Sequence, residues 1–469
     1  MRRGELKMCN MGFVLPAVGA LMALGGAASA QAPYRVTANQ KGSLLIFSKV
    51  EIKWSADGRL IQDTVVDLAN DFPEDVSIQA FFINGDTEVH ERCGGDPCHD
   101  NIIEEYEPGW NTADCRFELT AEQPHFWSAA GGSDKCQPFT VLDDEGPGRP
   151  DPRAGMTTRV LRGYALFFAV DFVHGVGATG RWLPIRWNHL HGDAVVINYE
   201  NGTAWEYSPW GFQAHGQPHG MPMSGGEFLH LDGISYDIPF DTLLLDFYAT
   251  GATAFSGGEQ TVMTDTDLTV HVVSADLRQD NCGPILTKVE AEIWNEFETK
   301  FSGTRRCICC WDQTPLGDWV RSGAIPNHFK RSALRTDKGK ARLDGVASIE
   351  CEYKELCGEV ASRRRRGGDC DPGVVAGAIA NESEDAALLG LSTKFLAFTP
   401  SGALATAGSV LVGAGEEPAV IRLDVQEGPD ELLNPEGRAG RTRGKTEGSK
   451  GLPTGRGETS RNTAGGPGE

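Results

Sequence analysis

Apolar and polar residues alternate along most of this chain with a period of two, in short runs rich in β-branched and aromatic side chains. That period puts successive side chains on opposite faces of a strand, so each run predicts a β-strand with one face turned to a core. The clearest runs cover residues 43–54, 63–70, 76–84, 160–172, 194–199, 203–207, 243–250, 260–273, 287–299, 394–399 and 420–425. Turn formers separate them. Asp71-Phe72-Pro73-Glu74-Asp75 joins two runs, and Asn201-Gly202 predicts a tight hairpin. No stretch carries an amphipathic helical stripe over three turns. The pattern predicts an all-β fold of packed sandwiches.

Part of the pattern recurs. Ser48-Lys49-Val50-Glu51 returns as Thr287-Lys288-Val289-Glu290, Asn70-Asp71-Phe72 as Asn295-Glu296-Phe297, and Gly192-Asp193-Ala194-Val195-Val196 as Gly408-Ser409-Val410-Leu411-Val412. Matching order predicts two tandem β-sandwich regions, 35–275 and 285–428, meeting near 276–286, the first enlarged by insertions. Shared strand composition is the competing explanation. Strand, Asn-acid-Phe-Pro turn, strand, as across 65–84, resembles the immunoglobulin-like modules of bacterial exported proteins. The body also resembles a family of secreted bacterial proteins of uncharacterised activity. The resemblance runs through Gly42-Ser43-Leu44-Leu45-Ile46-Phe47, Arg162-Gly163-Tyr164, and 188–207 with Gly192-Asp193 and Gly202-Thr203-Ala204-Trp205. It implies the extent of the β-sandwich body, across most of 40–428, and brings no activity with it.

The two ends differ from this body. Arg2, Arg3 and Lys7 precede an apolar stretch from Met11 to Ala27, and Ala28-Ser29-Ala30 offers a small-x-small cleavage site. Residues 1–30 therefore predict a signal peptide cut before Gln31, hence export to the periplasm or the extracellular space. No later segment is apolar for long enough to predict a membrane-spanning helix. From 429 to 469 the chain is dominated by Gly and charged residues, a composition that predicts a disordered tail.

The net charge is −22. Such an acidic body repels phosphate backbones, which argues against nucleic acid as a partner. Of 12 cysteines only Cys9 belongs to the leader. In an exported chain the remainder predict disulfides, with at least one thiol left over. Cys93 and Cys98 bracket a Gly-Gly-Asp-Pro turn, and Cys115 and Cys136 flank a strand-like run. Cys307 and Cys309 share a strand face, so each should pair away from the other, toward Cys351 or Cys357.

Three groups of residues could carry chemistry. His189 and His191, with Asp193, have a spacing at which zinc takes paired imidazoles, and His215, His219 or His230 could supply a further ligand. The spacing resembles the His-x-His-x-Asp-His signature of metallo-β-lactamase-type hydrolases, but Ala194 stands where that signature has its last histidine. Calcium could be held by Thr264-Asp265-Thr266-Asp267 or by Asp143-Asp144-Glu145, although neither matches a defined calcium loop. Trp187, Trp205 and Trp210 could form a platform for sugar rings, the alternative being core packing. Together these features predict an exported β-sandwich protein, non-catalytic, with a binding or envelope-structural role and a glycan or extracellular protein as partner. The alternatives are a metal-dependent enzyme built on His189 and His191, and a carbohydrate-binding module.

Overall fold

The computed structural model describes residues 34–85, 88–93, 102–107, 112–142, 148–150, 157–174, 180–254, 261–277, 287–308, 311–320, 325–347, 385–399 and 401–423. The expected leader and tail lie outside them. The chain is all-β, as its alternation predicts. Among the described residues helix is limited to single turns such as Arg331–Leu334.

The first half is built from β1 (Leu44–Ser55), β2 (Leu60–Asn70), β3 (Val76–Asn84), β4 (Thr112–Leu119), β5 (Pro124–Ser128), β6 (Thr158–His174), β7 (Leu190–Asn198) and β8 (Thr203–Tyr207). They form one antiparallel ladder in the order β8-β7-β2-β1-β6-β3-β4, with β5 on β2. The ladder folds over at β1–β2. These two strands pair only beside their turn, at Lys53 with Gln62 and Trp54 with Leu60. Beyond it β2 leaves to lie between β7 and β5. The layers enclose a core of Leu45, Phe47, Val66, Phe82, Trp127 and Phe167.

Parting strands expose backbone groups, and hydroxyls close the gap. Thr64 Oγ1 accepts from Glu51 N–H at 2.9 Å and donates to Glu51 C=O at 3.0 Å. Tyr207 Oη likewise accepts from Lys49 N–H at 3.2 Å and donates to Lys49 C=O.

The second half comprises β9 (Thr242–Tyr248), β10 (Thr261–Val272), β11 (Thr287–Asn295), β12 (Lys300–Ile308), β13 (Trp311–Pro315), β14 (Lys338–Ala347), β15 (Leu388–Thr399), β16 (Leu404–Val410) and β17 (Val412–Ala414). One five-stranded sheet runs β12-β11-β14-β9-β17, and a second contains β10, β15, β16 and β13. Strand pairing crosses residues 276–286, where the recurrence placed the meeting of the two regions. β9 pairs with β14, and β10 pairs with β15 along its whole length.

A second core gathers Leu243, Leu245, Phe247, Val270, Val289 and Ile293, together with Leu44, Ile46, Phe81, Leu166 and Phe168. The β1-β6-β3 sheet is thus covered on both faces. Its central segments accordingly lose the alternation seen elsewhere, Leu44 through Phe47 being wholly buried.

A β-bulge decides what β1 shows to each side. Phe47 lies opposite Ala165 but Val50 opposite Gly163, so one extra residue sits on β1 facing Tyr164. The extra residue reverses the parity of the strand. Leu45 and Phe47 enter the first core before it; Val50, Ile52 and Trp54 do so after it. Lys49 and Glu51 are turned away from that core as a result. Gly163 permits the close approach, since a Cβ there would lie 1.9 Å from the Ile83 carbonyl oxygen.

Candidate functional site

His189 precedes β7 and is committed to its neighbours. Its Nδ1 is 3.0 Å from Asp71 Oδ1, and its ring packs 4.5 Å from Phe72 and 5.3 Å from His219. Burial, helped by His189 and Arg186, holds the His219 imidazole below the usual range. His191 lies on β7 opposite Ala69, and Asp193 opposite Asp67. Ser208 donates to Asp193 at 2.7 Å. Burial lifts the Asp67 carboxyl above the usual range, with His191 opposing and Asp193 adding. His215 is bound to Asp237 at 2.9 Å and stacks on Tyr34, while His230 packs on Phe228. Among the described residues no group of three or more His, Cys, Asp or Glu side chains is gathered as a metal ion requires. Asp265 accepts from Thr250 at 2.7 Å and Asp267 from Gln313 at 2.7 Å, while Asp143-Asp144-Glu145 lies outside the described residues.

Of the three tryptophans weighed as a platform or as core, two are core residues. Trp187 is 4% exposed, with Nε1 donating to Asn70 at 3.0 Å, and Trp210 is 3% exposed and packs on Phe240. Trp205 is half-buried against Gly408 of β16, where a Cβ would come within 2.1 Å of its ring. The large apolar area of these rings is used inside, where it contributes most to packing.

Cys115 and Cys136 form the expected disulfide, with Cα atoms 5.8 Å apart. Cys307 is disulfide-bonded as well. Cys93 ends the strand Glu88–Cys93, but Cys98 lies outside the described residues, as do Cys309, Cys351 and Cys357.

The densest polar chemistry lies between the two halves, where the bulge delivers Lys49 and Glu51, which are 3% and 2% exposed. Lys49 Nζ is 3.3 Å from Glu51 and 3.4 Å from Asp267 of β10. Gln313 of β13 donates through one amide nitrogen to both carboxylates, at 2.7 Å to Asp267. Lys53 and Gln62 hold the other Glu51 oxygen, at 2.6 and 2.7 Å. Charges this deep are tolerated because each has partners of opposite sign and satisfied hydrogen bonds. Beside them Trp311 Nε1 donates to Ser48 C=O at 2.8 Å. His271, opposite Trp311 in the ladder, packs 4.0 Å from Tyr164 with neither ring nitrogen hydrogen-bonded. Burial pushes its pKa down to about 3. The cluster fastens one half to the other. Its sequence signal is an ionisable Lys-x-Glu inside an otherwise apolar run.

A different surface faces solvent. The inward residues of the β12-β11-β14-β9 sheet are Val289, Ile293, Leu343, Leu245 and Phe247. The register sets its outward rows: Lys300-Trp294-Lys340-Asp246 across four strands, with Lys338-Tyr248 in the next row. Lys300 Nζ lies 5.5 Å from the Trp294 ring centroid, and Lys338 Nζ 5.5 Å from that of Tyr248. Alternation gives no sign of this aromatic face, because it cannot tell which side of a strand a second sheet will cover.

Comparison with protein-family models finds no match to the chain, and comparison with curated proteins likewise finds none.

Proposed function

We propose that this is an exported, non-catalytic β-sandwich protein of the periplasm or cell exterior that acts by binding, as an envelope or extracellular component. The observation that carries the binding role is the outer face of the five-stranded sheet. Trp294 and Tyr248, each beside a lysine, stand on a rigid surface whose opposite face is core. Half-buried aromatics on the outer face of a fixed sheet offer contact area with little side-chain entropy to lose. Export is supported by the leader-like sequence of residues 1–30 and by the Cys115–Cys136 disulfide, since such bonds persist in oxidising compartments. Fractionation of cells expressing the full chain with an epitope at its C-terminus, with intact-mass measurement of the product, tests the address. The expected result is a product beginning at Gln31 outside the cytoplasm. Full-length protein retained in the cytoplasm would overturn it.

A further inference from the structure

The charge of the five-stranded sheet's outer face departs from that of the chain. The whole protein carries −22, yet this face has two lysines to spare. Its acids are engaged: Glu290 by Lys288 at 2.9 Å, Glu292 by Lys300 at 2.7 Å, Asp344 by Arg342 at 2.9 Å, and Asp246 by Lys394. Lys338 and Lys340 have no carboxylate within ion-pair distance among the described residues, and both are exposed. They lie on β14, the strand between Trp294 on β11 and Tyr248 on β9. Two strand spacings across the sheet and two residues along it separate the aromatics, about 12 Å.

We propose that this face binds an acidic polysaccharide, with Trp294 and Tyr248 stacking on sugar rings and Lys338 and Lys340 pairing with the acidic substituents between them. The inference deepens the binding role proposed above and rests on it. A sugar ring offers an apolar C–H face to an indole or phenol, and its carboxylate, sulfate or phosphate projects from the rim. Lysines beside and between two aromatics meet that arrangement. A folded protein partner would bring a broad apolar surface, whereas here the large apolar residues on neighbouring rows, Leu244 and Val412, form one small cross-strand pair. The repulsive field of the acidic body confines a polyanion to this face, so binding should weaken as salt screens the lysines.

The test is affinity electrophoresis and calorimetry of the mature protein with polygalacturonate, and with a neutral glucan as control, at low and physiological salt. The expected result is retardation by polygalacturonate alone, weakened at higher salt. The double variant Lys338→Glu/Lys340→Glu should lose at least tenfold in affinity, and Trp294→Ala and Tyr248→Ala several-fold each. All four positions lie on the outer face, the lysines exposed and the aromatics half-buried, and unchanged thermal melts would show that the variants fold. Equal retardation by neutral glucan would overturn the charge requirement. Full binding by the aromatic variants would overturn the stacking, and full binding by the lysine variants would overturn the site. A dimer in sedimentation that the lysine variants dissociate would replace the polysaccharide with a second copy. Protein that is exported and stays with the envelope but binds no acidic polymer would overturn this ligand class and leave the binding role standing. Exported protein retained by nothing would overturn both.

Discussion

The hydroxyl of Thr64 bonds both backbone polar groups of Glu51, taking its N–H at 2.9 Å and giving to its C=O at 3.0 Å. One side chain thereby replaces a stretch of ladder at the corner where β2 leaves β1. The device returns in the second half, where Thr266 accepts from Tyr248 N–H at 3.0 Å and donates to its C=O at 3.1 Å. Thr64→Val keeps shape and removes both bonds, leaving two buried groups without partners. The expected loss is roughly 2–4 kcal/mol, at about 1–3 for each orphaned group. Urea unfolding at neutral pH measures it, and a loss below about 1 kcal/mol would contradict this role for the hydroxyl.

Lys49→Met should cost about 3 kcal/mol or more, because Glu51 and Asp267 would be left facing each other in a buried site. Asp267→Asn should cost less, since Glu51 still pairs with Lys49. The pair Lys49→Met/Asp267→Asn should be less harmful than the sum of the two, by at least about 1 kcal/mol. A double-mutant cycle in urea decides this, strict additivity being the contrary result.

Acid should loosen the junction through His271. Its folded pKa lies near 3, far below the value near 6.5 expected of an unfolded histidine. The unfolded chain therefore binds a proton that the folded one refuses. Stability tied to the neutral ring is intact above pH 6.5 and is lost as pH falls from there toward 3, by a few kcal/mol at the lower end. Tyr164 and Trp311 adjoin the ring; the charged groups of the junction are Lys49, Glu51, Lys53 and Asp267, with Arg162 5.9 Å from the Trp311 ring centroid. His271→Phe, aromatic at any pH, should flatten the slope of stability against pH between about 6.5 and 4. An unchanged slope would show that another group is responsible.

Reducing the Cys115–Cys136 bond frees a loop of 21 residues, which by the chain-entropy model contributes about 3 kcal/mol. Reductant should lower the melting temperature, and Cys115→Ala/Cys136→Ala should melt below the unaltered protein but above the reduced one, since reductant also opens the bond at Cys307. Peptide mapping without reduction should recover the two peptides joined, and should also reveal the partner of Cys307, for which the strand-face argument favours Cys351 or Cys357.

The strands themselves are legible, because half-buried strands write their burial into the sequence. The run expected over 76–84 coincides with β3, and the hairpin at Asn201-Gly202 joins β7 to β8. The recurrent Asn-acid-Phe segments are turns of one kind. Asn70 Oδ1 accepts from Phe72 N–H at 3.2 Å, and Asn295 Oδ1 from Phe297 N–H at 3.0 Å. Strand pairing beyond the two turns is not the same. β11 and β12 form a hairpin, whereas β2 and β3 lie in different parts of their ladder. Local motifs fix local geometry, and pairing partners depend on contacts far along the chain. For the same reason the bulge is invisible in the sequence. Nothing in Ser48-Lys49 by itself says that Tyr164 will face an extra residue.

The two-sided burial of the β1-β6-β3 sheet has a kinetic consequence. Glu51 meets Gln313 across 262 residues of chain, and Leu391 reaches back into the first core. Contacts so remote are slow to form, since the intervening loop must close before any of them is made. Until the last strands arrive, Leu44, Ile46, Phe81 and Phe168 stay bare on one face of an otherwise complete sheet. A chain caught at that stage carries a sticky surface that its finished form never shows, and the hazard is aggregation during assembly rather than unfolding afterwards.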